Sequence, residues 1–206
     1  MNYSKFAPEG KGVRLMTGPA ALYWNDSNVG KGDYAVKATF AEGKQTYNHP
    51  HPFGVFIGGQ ALDSGTPTAL YCVAYRNGNY IVRGFSAGKR FDIVGKPVPH
   101  EAVKTAASAD AEVGQEVGWT VRGDSLACTV NGVAVWSGTR ADVTGAGKLT
   151  STDGIAGIRV SQFGRYRDRV RRDEVTRPRP ALRGSADRNS PSAETCRRGR
   201  CSPSMR

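Results

Sequence analysis

Two short stretches of this 206-residue chain hold residue types that could grip or transform a ligand. In Tyr47-Asn-His-Pro-His-Pro-Phe53, two of the three histidines share one proline-stiffened loop. Imidazole nitrogens such as those of His49 and His51 are common metal ligands. No acidic residue or third histidine stands at a useful spacing, so the loop does not read as a metal site. It reads either as a ligand-contacting loop using Tyr47, His49 and His51 or as an ordinary surface loop.

The second stretch carries Tyr71, Tyr75, Tyr80 and Arg83. Sugar rings present apolar C–H faces that pack on aromatic rings, and their hydroxyls need fixed polar partners. Tyr71, Tyr75 and Arg83 fit a carbohydrate-binding sheet face, although tyrosines that only fill a core explain part of the pattern equally well. Trp119 is expected in the core, between alternate valines. Trp24 and Trp136 are left unassigned. Retaining glycoside hydrolysis needs two carboxylates about 5 Å apart, which a Glu-x-Asp type of alternation on a strand would provide. No such pattern occurs. Asp110, Glu112 and Glu116 come closest and read as solvated charges of a crossover loop, so no catalytic residue is assigned. No motif calls for a cofactor.

The elements that must position these side chains are strands. In Tyr34-Ala-Val-Lys-Ala-Thr-Phe40 larger apolar residues alternate with small or polar ones, which predicts a strand with one buried face. Ala20–Trp24 predicts an earlier strand ending at Asn25–Asn28. The run Phe53–Ile57, closed by Gly58-Gly59, predicts a strand buried on both faces. Ala69–Tyr75 and Tyr80–Phe85 predict a hairpin, with a type I′ turn at Asn77-Gly78. Arg90–Val94 predicts the next strand. Val117–Arg122, Ser125–Val130 and Val133–Ser137 predict a three-stranded meander with one apolar face. The segment 97–116 is either a loop crossing between sheets or contains a helical turn or two. Ile155–Val160 is the last strand with clear alternation. About ten short strands and almost no helix predict an all-β, two-sheet antiparallel jelly-roll sandwich.

Charge divides the chain. Its formal net charge is +11, yet residues 162–206 hold 13 of the 29 basic residues, all arginine, and 5 of the 18 acidic ones. The body is therefore nearly balanced. Residues 1–161 are expected to form the sandwich, and residues 162–206 a disordered arginine-rich tail. If genuine, that tail would contact nucleic acid through arginine–phosphate pairs. The exclusive use of arginine also fits a frame-shifted C-terminus. No apolar run approaches the roughly 18 residues of a membrane helix. Cys72 and Cys128 lie in apolar strand patterns and are read by default as buried free thiols, with a cross-sheet disulfide as the alternative. No motif specifies an oligomeric state.

The segment from Trp119 to Val135, with Trp119-Thr-Val and Val130-Asn-Gly-Val-Ala-Val, resembles a hairpin of concanavalin A-like lectin/glucanase sandwiches. The similarity extends to the laminin-G-like branch and to bacterial 3-keto-disaccharide hydrolase-like domains. Tyr71-x-Val-x-Tyr-x-Asn-Gly-x-Tyr80 and Asp153-Gly-Ile-Ala-Gly-Ile-Arg-Val160 resemble further strands of that group. The resemblance implies a carbohydrate or glycoside ligand, a glycoside-hydrolase-like activity or a protein-interaction module as alternatives, and an exported protein. Export contrasts with the start, Met1-Asn-Tyr-Ser-Lys-Phe6, which has no apolar stretch of signal-peptide length. It also implies a closing strand after Val160, where arginines break the alternation and the strand is expected to be missing.

Overall fold

The computed structural model describes residues 5–10, 12–17, 20–44, 51–160 and 164–172. The first strands are β1 (Lys5–Glu9), β2 (Gly12–Thr17), β3 (Ala21–Gly30), β4 (Tyr34–Glu42) and β5 (Phe53–Gln60). They are followed by β6 (Thr68–Ala74), β7 (Asn79–Ser86), β8 (Lys89–Pro99), β9 (Val113–Arg122), β10 (Ser125–Val130) and β11 (Val133–Thr139). A four-residue helix, α1 (Arg140–Val143), precedes β12 (Gly154–Val160) and β13 (Gly164–Arg172). The strands form a seven-stranded sheet, β1-β2-β13-β4-β9-β10-β11, and a six-stranded sheet, β3-β12-β5-β6-β7-β8. All named pairings are antiparallel. The expected two-sheet sandwich is the architecture observed.

Period two explains the core. Tyr34, Val36, Ala38 and Phe40 of β4 bury the face shared with Val117, Trp119 and Val121 of β9 and Leu126, Cys128 and Val130 of β10. Against them the second sheet packs Phe53, Val55 and Ile57 of β5, Leu70, Cys72 and Ala74 of β6, and Tyr80 and Val82 of β7. The Trp119 indole N–H donates across the layers to the Val55 carbonyl at 3.3 Å, which satisfies its one polar atom in the core.

Several local expectations are corrected. Cys72 and Cys128 are joined in a cross-sheet disulfide, not left as free thiols. Both point inward from strands of opposing sheets, with Cα atoms 6.1 Å apart, inside the range a disulfide spans. The type I′ turn forms at Asn131-Gly132, where φ is +52° and +83°. At Asn77-Gly78 the left-handed region is entered only by Gly78, because Asn77 bridges instead to Thr105 of the crossover loop. Asn25–Asn28 does not end its strand. β3 bulges there and resumes pairing, with Trp24 opposite Gly157 and Val29 opposite Ile155. The segment after Val160 is not without a strand: β13 lies between β2 and β4, with Val170 opposite Val13 and Arg171 opposite both Gly12 and Thr39.

The crossover between β8 and β9 runs as turns, and Arg76 pins it. Its guanidinium donates to the carbonyls of Gly43 at 2.7 Å and of Ser108 and Ala111 at 2.8 Å each. Glu116 belongs to β9, where it meets Lys37 at 2.9 Å. Asp110 pairs with Lys44 at 2.6 Å on the surface.

Candidate functional site

The outward face of the six-stranded sheet carries a second apolar cluster of Phe56, Ala69, Tyr71, Val73 and Ile81. The outer face of an antiparallel sheet normally alternates into solvent, so a dry cluster there needs a cause. Register provides it. Trp24 stands opposite Gly157, Gly157 opposite Phe56, and Phe56 opposite Tyr71. Tyr71 stands opposite Arg83, and Arg83 opposite Asp92. Directly opposed residues share a face, so one residue from each of the six strands lies in a single row. Leu22, Leu62, Tyr75 and Phe85 pack around its middle.

The centre of the row is a floor rather than a contact surface. Phe56 is 0% exposed and Tyr71 only 5%. Gly157 makes this possible, since a Cβ there would sit 2.7 Å from the Phe56 ring edge. Burial raises the pKa of the Tyr71 and Tyr75 phenols, so both remain neutral hydrogen-bonding groups at physiological pH. At the β3 end, Trp24 is 37% exposed, with its indole N–H held by Asp26 Oδ1 at 3.0 Å. At the β8 end, Arg83 Nε meets Asp92 Oδ1 at 2.8 Å, and Arg83 also donates to the Gly95 carbonyl. Arg90 shares Asp92 at 3.5 Å.

A residue that sequence reading did not single out completes this face. Arg159 lies opposite Leu22 and Gly54, two residues along β12 from the row and so on the same face. Its guanidinium carbon is 5.3 Å from the centre of the Tyr71 ring and 5.4 Å from that of Phe85, an arrangement of the cation–π kind. Its Nε is closed to solvent and has no hydrogen-bond partner among the described residues. Burial draws its pKa down, against the opposing pull of the Tyr71 and Tyr23 phenols. The available signal was a charged residue wedged between Ile158 and Val160 in an interior strand.

Of the residues named from sequence, Tyr71, Tyr75 and Arg83 are brought together on this face. Tyr80 points the other way, into the core, where its ring meets His100 edge-on at 6.1 Å. His51, two residues before β5, is 6% exposed, so its ring is no open contact surface. Tyr47 and His49 lie outside the described residues. Trp119 is core, as expected, and Trp136 packs edge-on against it at 5.9 Å. Among the described residues, no group of three or more His, Cys, Asp or Glu could hold a metal ion. No helix among them is long and apolar enough to cross a membrane.

An open cleft of about 530 Å³ lies elsewhere, between the β6–β7 turn and the crossover, lined by Asn77, Pro99, His100, Glu101 and Lys104. Its His100 Nδ1 already accepts the Ala102 amide at 3.1 Å, so its histidine serves the loop.

No protein-family model and no curated protein matches the chain. Among solved structures it is similar to the carbohydrate-binding module CBM66 from Bacillus subtilis. That alignment has a TM-score of 0.53 at 12% identity and covers 84% of this chain and 89% of that one. A Bacillus subtilis protein of unknown function with a galectin-like fold aligns at a TM-score of 0.47 and 11% identity, over 82% of this chain and 83% of that one. Sheep galectin-11, solved in complex with glycerol, aligns at 0.42 and 10% identity, over 74% and 93%. At such identities the likeness is one of fold, and the first of the three carries it: a β-sandwich shared with a carbohydrate-binding module.

Proposed function

We propose that this chain is a carbohydrate-directed binding module whose ligand lies on the outer face of the six-stranded sheet. The observation that carries the reading is the six-strand row itself. It sets an exposed indole at one end, buried phenol and phenyl rings as a floor, and arginines beside them. A sugar ring stacked on Trp24 would find polar partners in Tyr75, Arg83 and Arg159. Tyr71 supports them from below.

Binding is favoured over hydrolysis by distance. Asp26 and Asp92 stand at the two edge strands of the sheet, β3 and β8. Five inter-strand steps of about 4.8 Å put those strands about 24 Å apart. Two-carboxylate glycoside hydrolysis uses separations of about 5 to 9.5 Å, so the 3-keto-disaccharide hydrolase-like alternative gains nothing from this face. Membership of the concanavalin A-like, laminin-G-like group belongs to the same reading. So does an extracytoplasmic location, where a cross-sheet disulfide would persist.

A glycan screen of the intact protein, run beside Trp24→Ala, tests the reading. Saccharide binding that Trp24→Ala weakens by about tenfold or more is expected. Binding to no saccharide, or binding indifferent to Trp24→Ala and Arg83→Ala together, would remove this face from the function.

A further inference from the structure

Arg83 and Arg90 share the carboxylate of Asp92, and Asp26 is taken up by the Trp24 indole. Among the described residues Arg159 has no such counter-ion: no carboxylate stands against its guanidinium, whose neighbours are the aromatic rings of Tyr71 and Phe85, and its Nε has no acceptor. A half-buried guanidinium without an anion is costly to keep. Its planar fork of donors suits a carboxylate or sulfate held by two parallel bonds.

Trp24 is its diagonal neighbour across β12 and β3, since Leu22 faces Arg159 and Trp24 faces Gly157. Diagonal neighbours lie about 7–8 Å apart, the scale of one sugar ring. We infer that this face takes an acidic saccharide, its carboxylate or sulfate held by Arg159 while the ring bearing it stacks on Trp24. The inference rests on reading the face as carbohydrate-binding. It goes further in naming an anionic ligand class and the residue that selects it.

The test is titration calorimetry on the full chain with three tetrasaccharides: a galacturonate, the neutral galactose analogue, and a heparin-derived sulfated one. Each is measured with the unaltered protein, with Arg159→Met, which keeps the apolar stem, and with Arg159→Lys, which keeps charge but not the fork. An acidic sugar is expected to bind about tenfold or more tighter than the neutral one. That preference, read as the ratio of acidic to neutral affinity, should vanish in Arg159→Met and return only in part in Arg159→Lys. Whichever of the galacturonate and heparin fragments binds tighter identifies the anion as carboxylate or sulfate. Equal binding of acidic and neutral sugars would overturn the inference and leave the carbohydrate reading standing. A preference that survives Arg159→Met would overturn it too, by assigning the attraction to other arginines of this +11 chain. If none of the three sugars binds the unaltered protein, the inference falls, and the glycan screen alone decides the carbohydrate reading.

Discussion

Arg76 Nη1 stands 3.8 Å from Glu42 Oε1 inside the fold, with both side chains almost wholly removed from solvent. The arginine spends its hydrogen bonds on the carbonyls of Gly43, Ser108, Ala109 and Ala111. Neither oxygen of Glu42 has a hydrogen-bond partner among the described residues. Burial therefore dominates the nearby charge and pushes the Glu42 carboxyl from 4.5 up to about 7. The Arg76 charge opposes the shift without cancelling it.

This sets a direction for stability against pH. Between about 4.5 and about 7 the folded chain holds a proton on Glu42 that the unfolded chain has released. The contribution of this group is thus full below 4.5, falls as pH rises, and is lost above 7. Its size is at most roughly 3 kcal/mol, from about 1.4 kcal/mol per pKa unit. Urea unfolding at pH 5 and pH 8 should show lower stability at pH 8. Glu42→Gln, neutral throughout, should shrink that difference and be the more stable protein at pH 8. The same pH dependence in both proteins would refute the buried, proton-holding carboxyl.

The cross-sheet disulfide gives a second prediction. Cys72 and Cys128 are 56 residues apart in the chain, and closing a loop of that length removes about 4 kcal/mol of unfolded-state entropy in the chain-entropy treatment. Reduction, or Cys72→Ala with Cys128→Ala, should lower stability by about 2–5 kcal/mol. Peptide mapping without reductant should recover the two peptides cross-linked. Free alkylation of Cys72 in unreduced, denatured protein would contradict the bridge.

Arg83 has a double role. From sequence it reads as a ligand contact on a carbohydrate-binding sheet face. In the structure it clamps β7 to β8 through Asp92 and the Gly95 carbonyl. Arg83→Ala should therefore lose saccharide affinity and also about 1 kcal/mol of stability, mostly from the carbonyl bond, since the ion pair is partly exposed. Asp92→Asn, which leaves the Gly95 carbonyl bond in place, should cost only a small part of that stability and less affinity. If Arg83→Ala leaves the unfolding midpoint unmoved, the clamp is not contributing.

The difference between what could and could not be read in the sequence follows from the range of each signal. The alternation of Tyr34, Val36, Ala38 and Phe40, and the two turns of the β9–β11 meander, act within a few residues and are visible there. Asn131-Gly132 and Asn77-Gly78 look alike in sequence, and only a distant contact, Asn77 with Thr105, separates them. The row from Trp24 to Asp92 joins residues from six strands, and no local pattern announces it. Arg159 escaped notice because its meaning depends on Tyr71 and Phe85, more than 70 positions away. The arginines after Val160 hid a strand because β13 is placed by pairing with β2 and β4, not by its own alternation.

Gly157 offers the sharpest test of the row as a unit. It touches no ligand in the proposed arrangement and bears no side chain. Its place between Trp24 and Phe56 nevertheless fixes how low the aromatic floor lies. A Cβ at this position would approach the backbone carbonyl of Tyr23 and stand 2.7 Å from the Phe56 ring. Backbone cannot move aside as a flexible side chain can, so the Phe56 ring must lift toward Tyr71. Gly157→Ala should cost about 1–3 kcal/mol through overpacking. It should also weaken saccharide binding by disturbing the rings under Arg159, although no contacting residue is changed. A Gly157→Ala protein with unchanged stability and unchanged binding would show that the floor is not held as the register implies. A stability loss with binding intact would move the ligand off this face.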